Sequence, residues 1–207
     1  MPRAWTLVVP FVVLALAGRA DADVLVLYGD LQGGGMYGKG TSGDAAVKDQ
    51  AFFANIPNVT YGASISARFL FLGATIQHHQ YVGDGLATWT QIMAGLDFSV
   101  DLGGEQDKKQ HKGGFVNLKA GAGFGVGTGQ QVDPPLDNAQ IDDKGLLLGG
   151  QIGFGKHLSK FVDIGVEVPV LYGYFLKNGV PANDLSNHYQ GIHVEALLTL
   201  RFNLKIL

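Results

Sequence analysis

The sequence predicts an all-β fold, a single eight-stranded antiparallel up-and-down β-barrel built to cross a membrane. Three observations carry this expectation. The last stretch, Tyr189 to Ile206, alternates without a break from Ile192 onward. Ile192, Val194, Ala196, Leu198, Leu200, Phe202, Leu204 and Ile206 share one face, and His193, Glu195, Thr199, Arg201, Asn203 and Lys205 fall on the other. A period of two means an extended strand, and so long an apolar stripe suits a bilayer better than a soluble sheet. Seven further alternating segments precede it. The connections between them are mostly long at one end of the sheet and short at the other, as in barrels that expose loops on one side of a membrane.

The segments follow in order. Val24 to Tyr37 sets Leu25, Leu27, Leu31 and Tyr37 against Tyr28, Asp30 and Gln32. Val59 to Phe69 sets Val59, Tyr61, Ala63, Ile65 and Ala67 against Thr60, Ser64, Ser66 and Arg68. A tight turn near Phe69 and Leu70 leads into Leu72, Ala74 and Ile76 against Thr75, Gln77 and His79. After Val82-Gly83-Asp84-Gly85, Thr88 to Leu102 opposes Ile92, Ala94, Leu96 and Phe98 to Gln91, Met93, Asp97 and Asp101. Phe115 to Thr128 carries Leu118, Ala120, Ala122 and Phe124 against Asn117, Lys119 and glycines. Gly145 to His157 and Phe161 to Phe175 complete the set, joined by the short turn Leu158-Ser159-Lys160. Of the connections at the short-linked end, only Gly103 to Gly114 is long. Tyr37, Tyr61, Tyr172 and Tyr174 fall at the expected outer end of the apolar band, where an aromatic girdle belongs.

Residues 1–22 read as a signal peptide, with Arg3 in the n-region, Trp5 to Ala17 as the apolar core and Ala20-Asp21-Ala22 as the cleavage site. The domain expectation is therefore 1–22 signal peptide and 23–207 barrel. Arg3, Arg19 and Asp21 give the leader a net +1, so the total of −3 leaves −4 for the remainder. A mildly acidic chain offers no electrostatic case for nucleic acid. The absence of cysteine means only that no disulfide staples the fold.

The polar face decides which side points inward. Gly121, Gly123, Gly125, Gly149, Gly153, Gly155 and Gly165 crowd it. A solvent-exposed face has no need of such small residues, whereas a narrow lumen does. Its charges are mixed in sign, and Asp30, Arg68, Asp97, Lys119, Asp163, Glu167, Glu195 and Arg201 are expected to form a lumen charge network. Antiparallel register places Arg201 near both Asp163 and Asp30.

The alternation, the loop asymmetry and the apolar last strand resemble the small eight-stranded bacterial outer-membrane barrels, the family of the outer membrane protein A transmembrane domain and its single-domain relatives. The resemblance spans Val24 to Leu207. It implies export to the periplasm, insertion into the outer membrane by the barrel assembly machinery, outer-membrane lipid as the surrounding partner, and a monomer. Members usually end in an aromatic residue, where this chain has Leu207.

No catalytic, cofactor-binding or metal-binding residue is expected. His157-Leu158-Ser159 lies at a turn on the periplasmic side, and His193 and Glu195 have no serine on their strand. A nucleophile needs a base within hydrogen-bond reach and a third group to orient it. His78 and His79 point to opposite faces and cannot chelate together, and His188 falls in the last loop. Gly123-Phe124-Gly125-Val126-Gly127 lacks the helix of a phosphate loop. Asp133, Asp137, Asp142 and Asp143 share one loop in this reading, with no calcium-loop spacing. The expected function is a non-enzymatic integral barrel with a structural or surface-binding role through outer loops of unknown ligand. The alternatives are a lipid A-modifying enzyme, a narrow pore or a soluble lipocalin-like carrier.

Overall fold

The computed structural model describes residues 25–40, 58–82, 86–103, 113–130, 140–175 and 189–206. The expected signal peptide lies outside them. Eight strands follow one another: β1 (Leu25–Gly40), β2 (Asn58–Phe69), β3 (Leu72–Val82), β4 (Leu86–Leu102), β5 (Gly113–Gln130), β6 (Gln140–His157), β7 (Val162–Phe175) and β8 (Tyr189–Lys205). Each pairs antiparallel with its neighbours, and β8 closes on β1. Closure leaves no edge strand with unpaired backbone groups.

Several strands are longer than their apolar alternation. β6 begins at Gln140, so Asp142 and Asp143 belong to a strand and not to the loop assigned them by sequence. The pairing continues past the apolar stripe, through Gly127↔Asp143 and Gly129↔Ile141. Hydrogen bonding between strands needs no apolar side chains, so the ladder outlasts the hydrophobic signal.

The stagger is large. One row of partners runs Leu27, Ala67, Ala74, Ala94, Ala122, Leu148, Tyr172, Ile192 and returns to β1 at Lys39. It rejoins the strand twelve residues beyond its start, at Lys39 against Leu27. Such a shear tilts the strands and widens the lumen.

The two faces are sorted as the alternation requires, with apolar side chains outside. Ile65 is 73% exposed between Ser64 at 5% and Ser66 at 1%. Leu198 is 59% exposed, while the adjacent Thr199 is 3%. A lipocalin-like carrier requires the reverse arrangement, with apolar groups lining the interior.

The connections 70–71 and 158–161 leave one end of the barrel, here called the turn end, together with the longer 103–112. Phe69 pairs with Leu72, so Leu70 and Phe71 form a two-residue hairpin turn, with Leu70 at a φ of 56°. The Phe71 carbonyl accepts from the Asp97 amide at 2.9 Å, fixing the turn to β4. In the 158–161 turn the Ser159 hydroxyl accepts from the Phe161 and Val162 amides.

One seam is interrupted. The β7–β8 register runs to Glu167↔Leu197, lapses, and resumes unchanged at Val170↔Val194. Pro169 lies in the gap and has no N–H to give a ladder.

Candidate functional site

The interior is the chemically dense part of the molecule, and it is ordered along the barrel axis. In the middle, Arg201 holds β8 to both neighbouring strands. Its Nε and Nη2 donate to the two carboxylate oxygens of Asp30 at 2.7 and 3.0 Å, a fork-on-carboxylate pair. Nη2 also donates to Glu167 at 2.6 Å. Glu167 accepts further from Gln32, Asn117 and Thr199. Ser64 donates to Asp30. These groups sit almost wholly out of solvent, where an unpaired charge would be costly and a saturated one is tolerated.

Tyr28 lies among them, and sequence reasoning did not assign it to the network. Its hydroxyl donates to Asp97. The Arg201 guanidinium carbon lies 4.4 Å from its ring centroid and the Lys119 ammonium 4.9 Å. Both are cation–π distances. Asp97 also faces Arg68, at a longer 3.9 Å. Its alternation parity with Asp30 was the signal available for Tyr28.

Asp163 is directly opposite Arg201 in the register, yet it does not supply the second carboxylate. It accepts from Asn203 at 2.6 Å and lies 2.7 Å from His157 Nδ1. His157 Nε2 is 3.1 Å from Asp101, which makes a separate cluster at the turn end.

Toward the loop end, Glu195 is the hub. Its Oε1 is 3.0 Å from His79 Nδ1 and 3.1 Å from His193 Nε2, and it accepts from the Tyr81 hydroxyl at 3.0 Å. Gln77 continues the chain to Gln91, whose Oε1 accepts from the Trp89 indole at 2.9 Å. Beyond the hub, Met36, Tyr81, Trp89, Leu147, Leu171 and Phe175 pack into a buried apolar cluster. Trp89 and Phe175 meet edge to face, 5.5 Å between centroids. This plug occupies the lumen at the loop end, opposite the 70–71 and 158–161 turns. It was not foreseen, because parity assigned these residues to a face described as polar.

The glycines on the inner face have two jobs. A Cβ at Gly125 would stand 2.0 Å from the Trp89 ring, so glycine leaves room for the indole. At Gly34 a Cβ would stand 1.9 Å from the Ala196 carbonyl oxygen, so there glycine permits close approach of the neighbouring backbone.

The remaining candidates are placed apart. His78 is exposed on the outer face, 2.7 Å from Thr90 Oγ1, while His79 is buried inside. Gly123 to Gly127 lie within β5. Among the described residues no serine hydroxyl is bonded to a histidine ring: Ser159 caps its turn and Ser64 and Ser66 serve Asp30 and Thr75. Ser186, His188, Asp133 and Asp137 lie outside the described residues. Among the described residues no group of three or more His, Asp or Glu is arranged to hold a metal ion.

No protein-family model and no curated protein matches the chain. Distant similarity exists to solved structures. Neisserial surface protein A is 11% identical, over 88% of this chain and 97% of that chain, with a TM-score of 0.47. The outer membrane protein OprG from Pseudomonas aeruginosa is 10% identical, over 88% and 96%, with a TM-score of 0.43. The N-terminal β-barrel domain of Pseudomonas aeruginosa OprF is 11% identical, over 86% and 97%, with a TM-score of 0.42. The closed eight-stranded barrel itself is read from this chain's own pairing.

Proposed function

We propose that the chain is a non-enzymatic integral protein of the bacterial outer membrane, reached by export to the periplasm, with a structural or surface-binding role through the connections at its loop end. The observation that carries this reading is the inverted distribution of polarity. Leu31, Ile65, Ile76, Ile92, Leu146, Leu148, Leu198 and Leu204 are all more than half exposed, while Asp30, Asp97, Asp163, Glu167, Glu195 and Arg201 are buried inside. So continuous an apolar belt in water would aggregate, whereas hydrocarbon solvates it. Tyr61 and Tyr172 stand on the same outer face, their hydroxyls donating to Gln80 and Gln190, as suits a wet interface at the edge of that belt.

The plug and the saturated charges support a closed lumen over a pore. The surrounding partner is outer-membrane lipid, and the single closed barrel supports a monomer. The protein should fractionate with the outer membrane and migrate faster unboiled than boiled on a detergent gel. Recovery as a soluble periplasmic protein would overturn the proposal.

A further inference from the structure

The lumen is unevenly filled. A cavity of about 60 Å³ lies against the β3–β7 side of its wall, lined by Met93, Asp97, Lys119, Gln151, Pro169 and Leu171 among others. That is room for roughly four to six water-sized groups. Asp97, Lys119, Gln151 and Pro169 are successive partners in one row across β4 to β7.

Among the described residues two donors in this row lack acceptors. Lys119 is directly opposite Asp97, but its ammonium turns over the Tyr28 ring, and no carboxylate lies within ion-pair distance of it among the described residues. Gln151, the next residue in the row, buries its Nε2 with no hydrogen-bond partner among the described residues. The buried Gln151 Nε2 is costly without an acceptor, and with the part-buried Lys119 beside it in the row it defines a place for one. The surrounding charges limit what that acceptor is. Asp30, Asp97 and Glu167 supply three negative charges to this layer and Arg68, Lys119 and Arg201 three positive ones, so it sums to zero. An added anion would leave an unbalanced charge indoors.

We propose that this cavity is a binding site for a small uncharged solute bearing a carbonyl or hydroxyl group. Its oxygen accepts from Lys119 Nζ and Gln151 Nε2, while its carbon skeleton rests on Met93 and Leu171. Nothing in the belt or the plug requires such a site.

Methionine methyl NMR tests it with a built-in control, because Met93 lines the cavity and Met36 belongs to the plug. The protein is refolded in detergent in the presence of glycerol, acetamide or sodium formate, so entry into the closed barrel is not limiting. Glycerol or acetamide should shift the Met93 methyl saturably and leave Met36 in place. Gln151→Leu should weaken that binding about tenfold, the value of one hydrogen bond. The wild-type titration needs no variant to refold. A linear drift common to both methyls, or unchanged affinity in Gln151→Leu, would overturn the site. Saturation by formate alone would overturn the uncharged ligand.

Discussion

Arg201 and Asp30 are 171 residues apart in the chain and directly opposite each other where the barrel closes, joined by two parallel charge-assisted hydrogen bonds. The same guanidinium reaches Glu167 on the other side, so one side chain ties β8 to β1 and to β7. Arg201→Met should therefore cost about 3–5 kcal/mol, the usual result of stranding buried carboxylates. Combined with Asp30→Asn or Glu167→Gln it should cost less than the sum of the single changes. Combined with Asp163→Asn the coupling should be smaller than with Asp30 or Glu167, because Asp163 is bonded to Asn203 and His157 instead. Refolding equilibria in detergent give all three cycles; a large coupling to Asp163 with none to Glu167 would contradict the geometry.

A second expectation concerns Gly125. Gly125→Val should destabilise the barrel by about 1–3 kcal/mol through overpacking, since its Cβ would meet the Trp89 ring. Trp89→Leu introduced with it should recover part of the loss. If Trp89→Leu makes Gly125→Val worse, the two do not compete for one space.

The plug leads to an expectation about transport. Purified protein in planar bilayers should show no large, steady conductance, because the apolar cluster at the loop end and the Arg201 layer below it both fill the lumen. Replacing Trp89 and Phe175 together by alanine should admit small ions more readily. Reproducible porin-like steps from the unaltered protein would refute a closed interior.

Orientation can be mapped with tags. The connections 41–57, 131–139 and 176–188 leave one end of the barrel and 103–112 leaves the other. Epitopes near Gly43, Asn138 or Asn183 should be reached by antibody on intact cells, and one near Lys108 should not. The opposite labelling would turn the molecule over.

Much of this architecture was legible in residue parity. Alternation separated Ile65 from Ser64 and Leu198 from Thr199, and antiparallel arithmetic put Arg201 opposite both Asp30 and Asp163. Parity does not give height along the axis. The twelve-residue stagger brings Met36, Trp89, Leu147 and Phe175 together from four strands, and no local pattern in any one strand records that meeting. Nor does register fix where a long side chain ends. Arg201 extends toward Glu167, four residues beyond its backbone partner Asp163. Polar strand ends were also missed, as at Asp142 and Asp143, because hydrophobicity marks the bilayer rather than the ladder.

The matched charges of the middle layer carry one more consequence. Asp30 and Glu167 share Arg201, Asp97 faces Arg68, and Lys119 over the Tyr28 ring brings the layer's charge to zero, all within the same chain. Mobile ions screen charges that face bulk water and have little purchase on pairs sealed from it. A barrel that neutralises itself in this way owes almost nothing to the ionic strength outside, and its interior should hold as firmly in dilute fresh water as in brine.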